Sequence, residues 1–506
     1  MGGRNRSDPR WSAVPAEVLK DFDAYLAATG DRRHVELLEV LIGGFSGAQV
    51  LLVEIKVRRQ PTRQRVLKFC LDAAEPERIF LTYDEAPQDF AERHLAKPVD
   101  KIKEGRCAAV VMDVAGRDPT NCRPLTDHLG RPDLREVCRT IVSSVLDGWN
   151  AGRTDLTRPY TVAEYLRSLV GEARMGPDGP LAAFATRIDA PSHRETIRLP
   201  GWTRELRNPL ALADPDTPAG ASPVSRGALI GDGHGDLNVF NLLIPGYPHF
   251  AAENYQIIDY GGRGTDQPLT WDPMYLLVSM ATRWLGQMNP TSNTARQLVH
   301  VLARHRSAEN DFGLSDHRAV VNAVYEAGYA WANRESYGDR WLPQCALSLC
   351  AAGLLFIGRK IPGVDIPLDD WFFELAAEAA DDFAEQARLP IDIASARQRR
   401  GKRADGASQT GSPSKDIAEF VRLLEEAEFG GNWASVRRGT VTLRAYLEKQ
   451  NYAIDSPHAI SIQTLIGQLR DALKDAMDAR LKTGLQRRAA QRASRIAQTL
   501  PPLLLA

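Results

Sequence analysis

Apolar residues recur along this chain at two periods, and the switches between them sketch its elements. Within residues 15–28, Val18, Leu19, Phe22 and Leu26 share one face at helical spacing. Residues 35–42 and 49–55 are instead dense runs of Val, Leu and Ile, which read as strands. Gly43-Gly44-Phe45-Ser46-Gly47-Ala48 separates them, so the order is strand, glycine-rich turn, strand. Residues 64–70 give another short strand, and residues 107–116 read as a buried strand running into a turn. Helical spacing returns over residues 135–149, with Val137, Ile141, Val145 and Leu146 on one face, and again at Tyr165, Leu166, Leu169 and Val170. Residues 188–225 carry many Pro, Asp, Arg and Thr and little periodicity.

Two short apolar runs follow, Leu242 to Ile244 and Ile257-Ile258. Pro245-Gly246-Tyr247-Pro248 lies after the first, so the pair predicts a hairpin. Residues 274–390 are mostly amphipathic helix, and Trp331, Trp341 and Trp371 read as core. Arg397-Gln398-Arg399-Arg400-Gly401-Lys402-Arg403 then leads into a Ser/Gly/Thr stretch whose composition cannot bury a core and predicts a flexible basic linker. Beyond Ser414, the spacing of Ile417, Phe420, Val421 and Leu424 opens three more helical segments.

Composition narrows this picture. At 506 residues the chain exceeds one ordinary core, so two or three domains are expected. Apolar content of 43% and charged content of 25% describe a globular protein, and a net charge of -1 gives no reason to expect nucleic acid or a membrane as main partner. Six cysteines without a CxxC pair argue against a zinc site or a disulfide framework and suit free thiols in a reducing cytoplasm. The first residues lack the apolar run of a signal peptide, and Arg6 stands where a myristoylation signal wants Ser or Thr. A cytoplasmic location is therefore expected.

The candidate chemistry surrounds the predicted hairpin. His234-Gly235-Asp236 is followed by Asn241 just before the first apolar run, and Asp259 ends the second. A hairpin brings its ends together, so Asn241 and Asp259 would meet at one metal. Phosphoryl transfer to a hydroxyl needs such a set: one carboxylate to orient the attacking hydroxyl and accept its proton, then an amide and a second carboxylate to hold Mg²⁺. Upstream, Gly43, Gly44, Ser46 and Gly47 would let backbone N–H groups approach a triphosphate. Lys68, flanked by apolar residues on a strand, is costly to bury unless paired.

These residues resemble the catalytic core of the protein-kinase-like superfamily, most nearly its aminoglycoside phosphotransferase branch, where His-Gly-Asp is common. The resemblance implies an α+β, bilobal fold with a small β-rich N-lobe and a larger helical C-lobe. It implies ATP and Mg²⁺ as cofactors, Asp236 as catalytic base, Asn241 and Asp259 as metal ligands, and the glycine-rich loop with Lys68 on the phosphates. A helix glutamate should hold Lys68; among Glu75, Glu77, Glu85 and Glu92, Glu85 is chosen from family spacing. The organisation expected is a helical extension at residues 1–34, N-lobe at 35–115, C-lobe at 116–393 with an insertion at about 151–228, linker at 394–414 and a helical adaptor-like module at 415–506. Asp272, placed before Pro273 at a helix start, should tie that helix to the catalytic loop. Only 12 residues separate Asp259 from Asp272 and no Ala-Pro-Glu follows, which favours a phosphotransferase over a eukaryotic-type protein kinase.

The chain is also similar, through Gly43 to Ala48, the His234–Asn241 motif and Asp259, to bacterial chains carrying a ternary complex associated domain. That implies a signalling or conflict system. The expected function is ATP-dependent transfer to a hydroxyl of a small molecule or protein, with residues 415–506 offering a partner surface. The alternative is a nucleotide-binding, pseudokinase-like scaffold, but Lys68, Asp236, Asn241 and Asp259 are all present.

Overall fold

The structure is a computed structural model that describes residues 3–387, apart from 5–7, 29–33, 42–48, 58–60, 115–121, 154–155, 200–201, 203, 246–251, 289–291, 305–312, 362–363 and 365. The expected glycine-rich loop, linker and C-terminal module lie outside the described residues. The fold is α+β, with strands gathered mainly toward the start of the chain and helices toward its end. No helix among the described residues is long and apolar enough to cross a membrane.

In the first part, β1 (Gly3–Arg4), α1 (Ala16–Ala28), β2 (His34–Leu41), β3 (Gln49–Lys56), β4 (Arg63–Phe69), α2 (Glu75–Glu85), α3 (Gln88–His94), β5 (Pro98–Glu104) and β6 (Cys107–Asp113) follow in order. Six strands form one sheet in the order β1-β2-β3-β4-β6-β5, antiparallel except for the β1–β2 pair. Strand alternation sets the two faces of this sheet. Leu67 and Phe69 turn toward α1 and join Trp11, Leu19, Phe22, Leu26, Leu51 and Val53 in one core. Each fully buried Leu or Phe there contributes roughly 1.5–3 kcal/mol. The extension expected at residues 1–34 is thus part of this sheet's core and its edge. Val66 and Val110 belong to the opposite face, which packs into the second core. Lys68 shares that face, opposite Val50 on β3 and Val110 on β6.

That second core runs through the rest of the described chain. β7 (Cys122–Pro124), α4 (Leu134–Ser144), β8 (Thr157–Arg158), α5 (Val162–Val170), α6 (Glu172–Met175), α7 (Pro180–Arg187), β9 (Thr196–Ile197), β10 (Leu206–Arg207) and α8 (Pro209–Leu212) come first. Residues 151–228, expected as an insertion, pack into the same core: Val162, Tyr165, Leu166, Leu206 and Leu212 are buried within it. A capping box starts α5, where the Thr161 hydroxyl accepts the Glu164 N–H and the Glu164 carboxylate accepts that of Thr161.

β11 (Ala228–Gly233), β12 (Leu242–Pro245), β13 (Gln256–Ile257) and β14 (Gly264–Pro268) carry the chain to α9 (Trp271–Leu285), α10 (Asn293–Ala303), α11 (Ser315–Arg334), α12 (Gly338–Phe356) and α13 (Asp369–Gln386). The predicted hairpin is present, with Leu242 opposite Ile257 and Leu243 opposite Gln256. β7 adds a third strand through Ile244 and Arg123. Trp331, Trp341 and Trp371 are buried in the core.

Candidate active site

The loop after β11 is held by its own polar groups together with those of α9 and of Ile258. Gly235 takes φ +84°, a conformation that favours glycine. The buried Asp272 carboxylate, in the first turn of α9, accepts the N–H of His234 at 2.6 Å and of Gly235 at 3.0 Å. Burial pushes this carboxyl up, and the two N–H bonds and His234 only partly offset that. The expected tie between Asp272 and the loop is therefore a direct contact. The neighbouring Trp271 indole donates to the Gly235 carbonyl at 2.9 Å. His234, fully buried, has two tasks: Nε2 donates to the Ile258 carbonyl at 2.9 Å, and Nδ1 accepts the Asp236 N–H at 3.1 Å. It couples the loop to the strand end that carries Asp259.

Asn238 and Asn241 close the loop from below. Asn238 Oδ1 accepts the N–H groups of Phe240 and Asn241. Asn241 Nδ2 donates to the Asp236 carbonyl at 2.9 Å and to the Asp236 carboxylate at 3.3 Å. Its backbone carbonyl accepts the Ile258 N–H at 3.0 Å. With its nitrogen committed to Asp236, Asn241 has its amide oxygen as the end that could meet a cation.

Asp259 follows at φ 62°, the left-handed region that costs most non-glycine residues about 1–2 kcal/mol and that Asp, like Asn, tolerates better than most. Such a backbone at a chemically loaded position motivates a functional reading. One Asp259 carboxylate oxygen pairs with the Lys68 ammonium. Glu75 accepts from the same ammonium at 2.6 Å. Lys68 is only 3% exposed. Burial alone would lower its pKa, but Asp259 and Glu75 outweigh that and hold it above the ordinary lysine value.

The helix glutamate must be corrected. Glu85, expected beside Lys68, meets Arg263 at 2.9 Å instead, and Glu75 takes its place. Helix α2 begins at Glu75 with Pro76 behind it, so its first turn faces the end of β4. Glu85 lies at the other end, ten residues and roughly 15 Å further along the helix axis. Glu77 pairs with Lys101. The structure thus joins Lys68 to Asp259, and Asp236 to Asn241, and binds both pairs through His234 and Ile258. Gly43, Gly44, Ser46 and Gly47 lie outside the described residues.

Arg263 and Tyr275 were not read from the sequence. Arg263, with a nearly buried side chain, bridges Asp232 at 2.7 Å to Glu85 and so fastens β11 to α2. The Tyr275 hydroxyl accepts from Arg359 at 3.0 Å and faces the Asp236 carboxylate. Neither belongs to a short motif; only the sign of Arg263 hinted at a carboxylate partner.

The donor set fits a hard divalent cation. Asp259 and Asn241 offer one carboxylate and one amide oxygen, and Mg²⁺ characteristically takes one or two protein oxygens and completes its shell with water and phosphate. Among the described residues no three His, Cys, Asp or Glu side chains gather as an all-protein cage. On the other side of Asp236 opens a cavity of about 920 Å³, lined by Gly235, Asp236, Trp271 and Tyr275 and by Arg174, Arg359 and Lys360. That size suits a small molecule. No known family model matches the chain, and no curated protein matches its sequence.

Proposed function

We propose that this chain is an ATP-dependent phosphotransferase of the protein-kinase-like type, acting on a hydroxyl acceptor. What supports the reading above all is one hydrogen-bonded unit that brings Asp236 and Asn241 together with Lys68 and Asp259. In this reading the six-stranded sheet with its helices is the small lobe and the helical bulk the large one. Lys68 would hold the α- and β-phosphates with Glu75 keeping it in place, and Asn241 and Asp259 would hold Mg²⁺. When bound, the metal neutralises phosphate oxygens and makes the phosphoryl group a better electrophile. Asp236 orients the acceptor hydroxyl and takes its proton. The acceptor oxygen forms a bond to the γ-phosphorus, the bond to the β,γ-bridging oxygen breaks, and ADP leaves with that electron pair. Residues 415–506 would serve as a partner-binding module in a bacterial signalling or conflict system.

The experiment is a thermal-shift titration with Mg·ATP together with turnover of two variants. Saturation at about 100 times the dissociation constant should add roughly 2.7 kcal/mol. Asp236→Asn should keep nucleotide binding and lower turnover about 10²–10⁴-fold. Asp259→Asn should weaken metal-dependent binding as well. No stabilisation by millimolar Mg·ATP would overturn the reading and leave a scaffold that binds no nucleotide.

A further inference from the structure

The cavity beside Asp236 is built from separate parts of the chain. The loop supplies Gly235 and Asp236, and the end of α5 with α6 supplies Leu169, Val170 and Arg174. The turn after α12 supplies Arg359 and Lys360. Gly358 sits at φ +74° with its N–H on the Asp369 carboxylate at 2.8 Å, and this turn places Arg359 and Lys360 at the cavity. Arg174 donates to the Ile357 carbonyl, which fixes α6 against that turn. Three cations therefore share one wall.

Among the described residues no carboxylate is ion-paired with Arg174, Arg359 or Lys360. The acidic groups that face the cavity are otherwise engaged: Asp266 meets Arg158 at 3.2 Å, and Asp236 is held by Asn241. The Arg174 Nε is buried with no hydrogen-bond partner. Burial, and then the like charge of Arg359, push the Arg174 guanidinium down from its ordinary value, with Asp369 opposing. Two guanidiniums that repel each other beside an unfilled donor raise the free energy of the empty cavity. An anion removes that cost, and guanidinium groups suit phosphate and carboxylate geometry. Arg359 also reaches Tyr275, whose hydroxyl faces Asp236, so the cationic wall and the base belong to one network.

We propose that the cavity takes a small hydroxyl compound that carries a phosphate or carboxylate, its anion held by Arg174, Arg359 and Lys360 and its hydroxyl presented to Asp236. The proposal rests on the reading of Asp236 as the base of phosphoryl transfer. It assigns an anionic acceptor, a class that a cationic aminoglycoside does not belong to.

Calorimetric titration of the full chain tests this, with inorganic phosphate as the first probe. One site is expected, and Arg359→Gln and Lys360→Gln should each weaken it about tenfold or more. Lys360 is exposed, so its variant separates lost affinity from lost fold. A second series compares glycerol 3-phosphate, glycerate, glycerol and ethanolamine. The two anions should bind ahead of the neutral and cationic compounds, and the stronger of them names the group. No phosphate binding, binding untouched by both variants, or preference for ethanolamine overturns the proposal. So does phosphate binding that Lys68→Met abolishes while Arg359→Gln spares it, since the anion would then sit at Lys68. Failure here leaves the Asp236 reading intact, because that is scored by Mg·ATP binding and turnover.

Discussion

On one side of Asp236 a single buried ammonium, Lys68, lies between two carboxylates, Glu75 and Asp259. On the other side Arg174, Arg359 and Lys360 line an open cavity without an ion-paired acid among the described residues. The first cluster is electrostatically closed. Its ions compensate one another, so its members are needed for the fold as much as for any ligand. The second cluster is open. Its charges cost the protein something when alone and gain when an anion arrives, so exposed Lys360 can be changed with little harm to the fold. The difference separates what is built to hold structure around a ligand from what is built to receive one.

The largest expected contrast is in stability. Lys68→Met leaves Glu75 and Asp259 facing each other without their cation, and breaking a buried pair in this way costs about 3–5 kcal/mol. Lys360→Gln should change unfolding free energy by no more than about 0.5 kcal/mol, as for an exposed position. Urea unfolding of both variants checks this. Equal losses would mean that the cavity cations are structural, and the distinction between the two sides would go.

Next come the two glutamates of α2. Glu75→Gln removes a charge from a half-buried ion set and should cost about 1–3 kcal/mol, together with weaker nucleotide binding. Glu85→Gln removes an exposed partner of Arg263 and should cost less than about 1 kcal/mol, with nucleotide binding unchanged. If Glu85→Gln had the larger effect on binding, the assignment from the structure would be reversed.

These two residues also mark how far the sequence can be read. Lys68 was visible because an ammonium amid Val66, Leu67 and Phe69 demands a partner. The hairpin was visible because its two apolar runs are short and bounded by turn residues. Asn241 and Asp259 were paired through that hairpin, whose ends meet, whereas Asp236 was read from the His234-Gly235-Asp236 motif and the resemblance it carries. Glu75 was missed because spacing along a chain does not say which end of a helix abuts a strand. That depends on where Pro76 starts the helix and how the chain turns after Phe69. β7 was missed for another reason: three residues ending in proline carry no periodic signal, and only pairing with β12 makes them a strand. The cationic wall was out of reach altogether. Arg174 and Arg359 are 185 positions apart in sequence, and tertiary packing alone brings them to one cavity.

Salt gives a smaller but direct comparison. Raising it from about 0.1 M to about 1 M shortens the screening length from about 10 Å to about 3 Å. Phosphate affinity at the cavity cations should fall several-fold over that range. The stability difference between wild type and Lys68→Met should stay nearly constant, because buried pairs are screened far less. Calorimetry for the first and urea unfolding for the second provide the two numbers. A salt-insensitive phosphate site would place the anion away from the open wall.

The smallest effect is in acid, and it concerns the support beneath Asp259. His94, at the end of α3, is nearly buried; it stacks on Tyr255 with ring centroids 4.3 Å apart and reaches the Tyr255 carbonyl with Nδ1 at 3.3 Å. Tyr255 leads directly into β13 and so to Asp259. Burial lowers the His94 pKa, the bond to Tyr255 opposes that, and Arg93 adds a little in the lowering direction. The unfolded chain therefore binds the proton more readily than the folded one. Its contribution is fully present above the unfolded value of about 6.5 and is lost as pH falls through the lower folded value. Lys68 runs the other way: raised in the fold, its contribution holds below about 10.4 and fails only in strong alkali. Between about pH 5 and about pH 8, then, only the histidine side of this pair titrates. One proton gives at most about 1.4 kcal/mol per pH unit. His128 and His317 are also lowered by burial, but both remain in wild type and in His94→Gln, so the difference between the two chains isolates His94. Unfolding free energies at four pH values should converge toward acid as wild type loses what the variant never had. If the two curves stay parallel, His94 does not titrate against the fold.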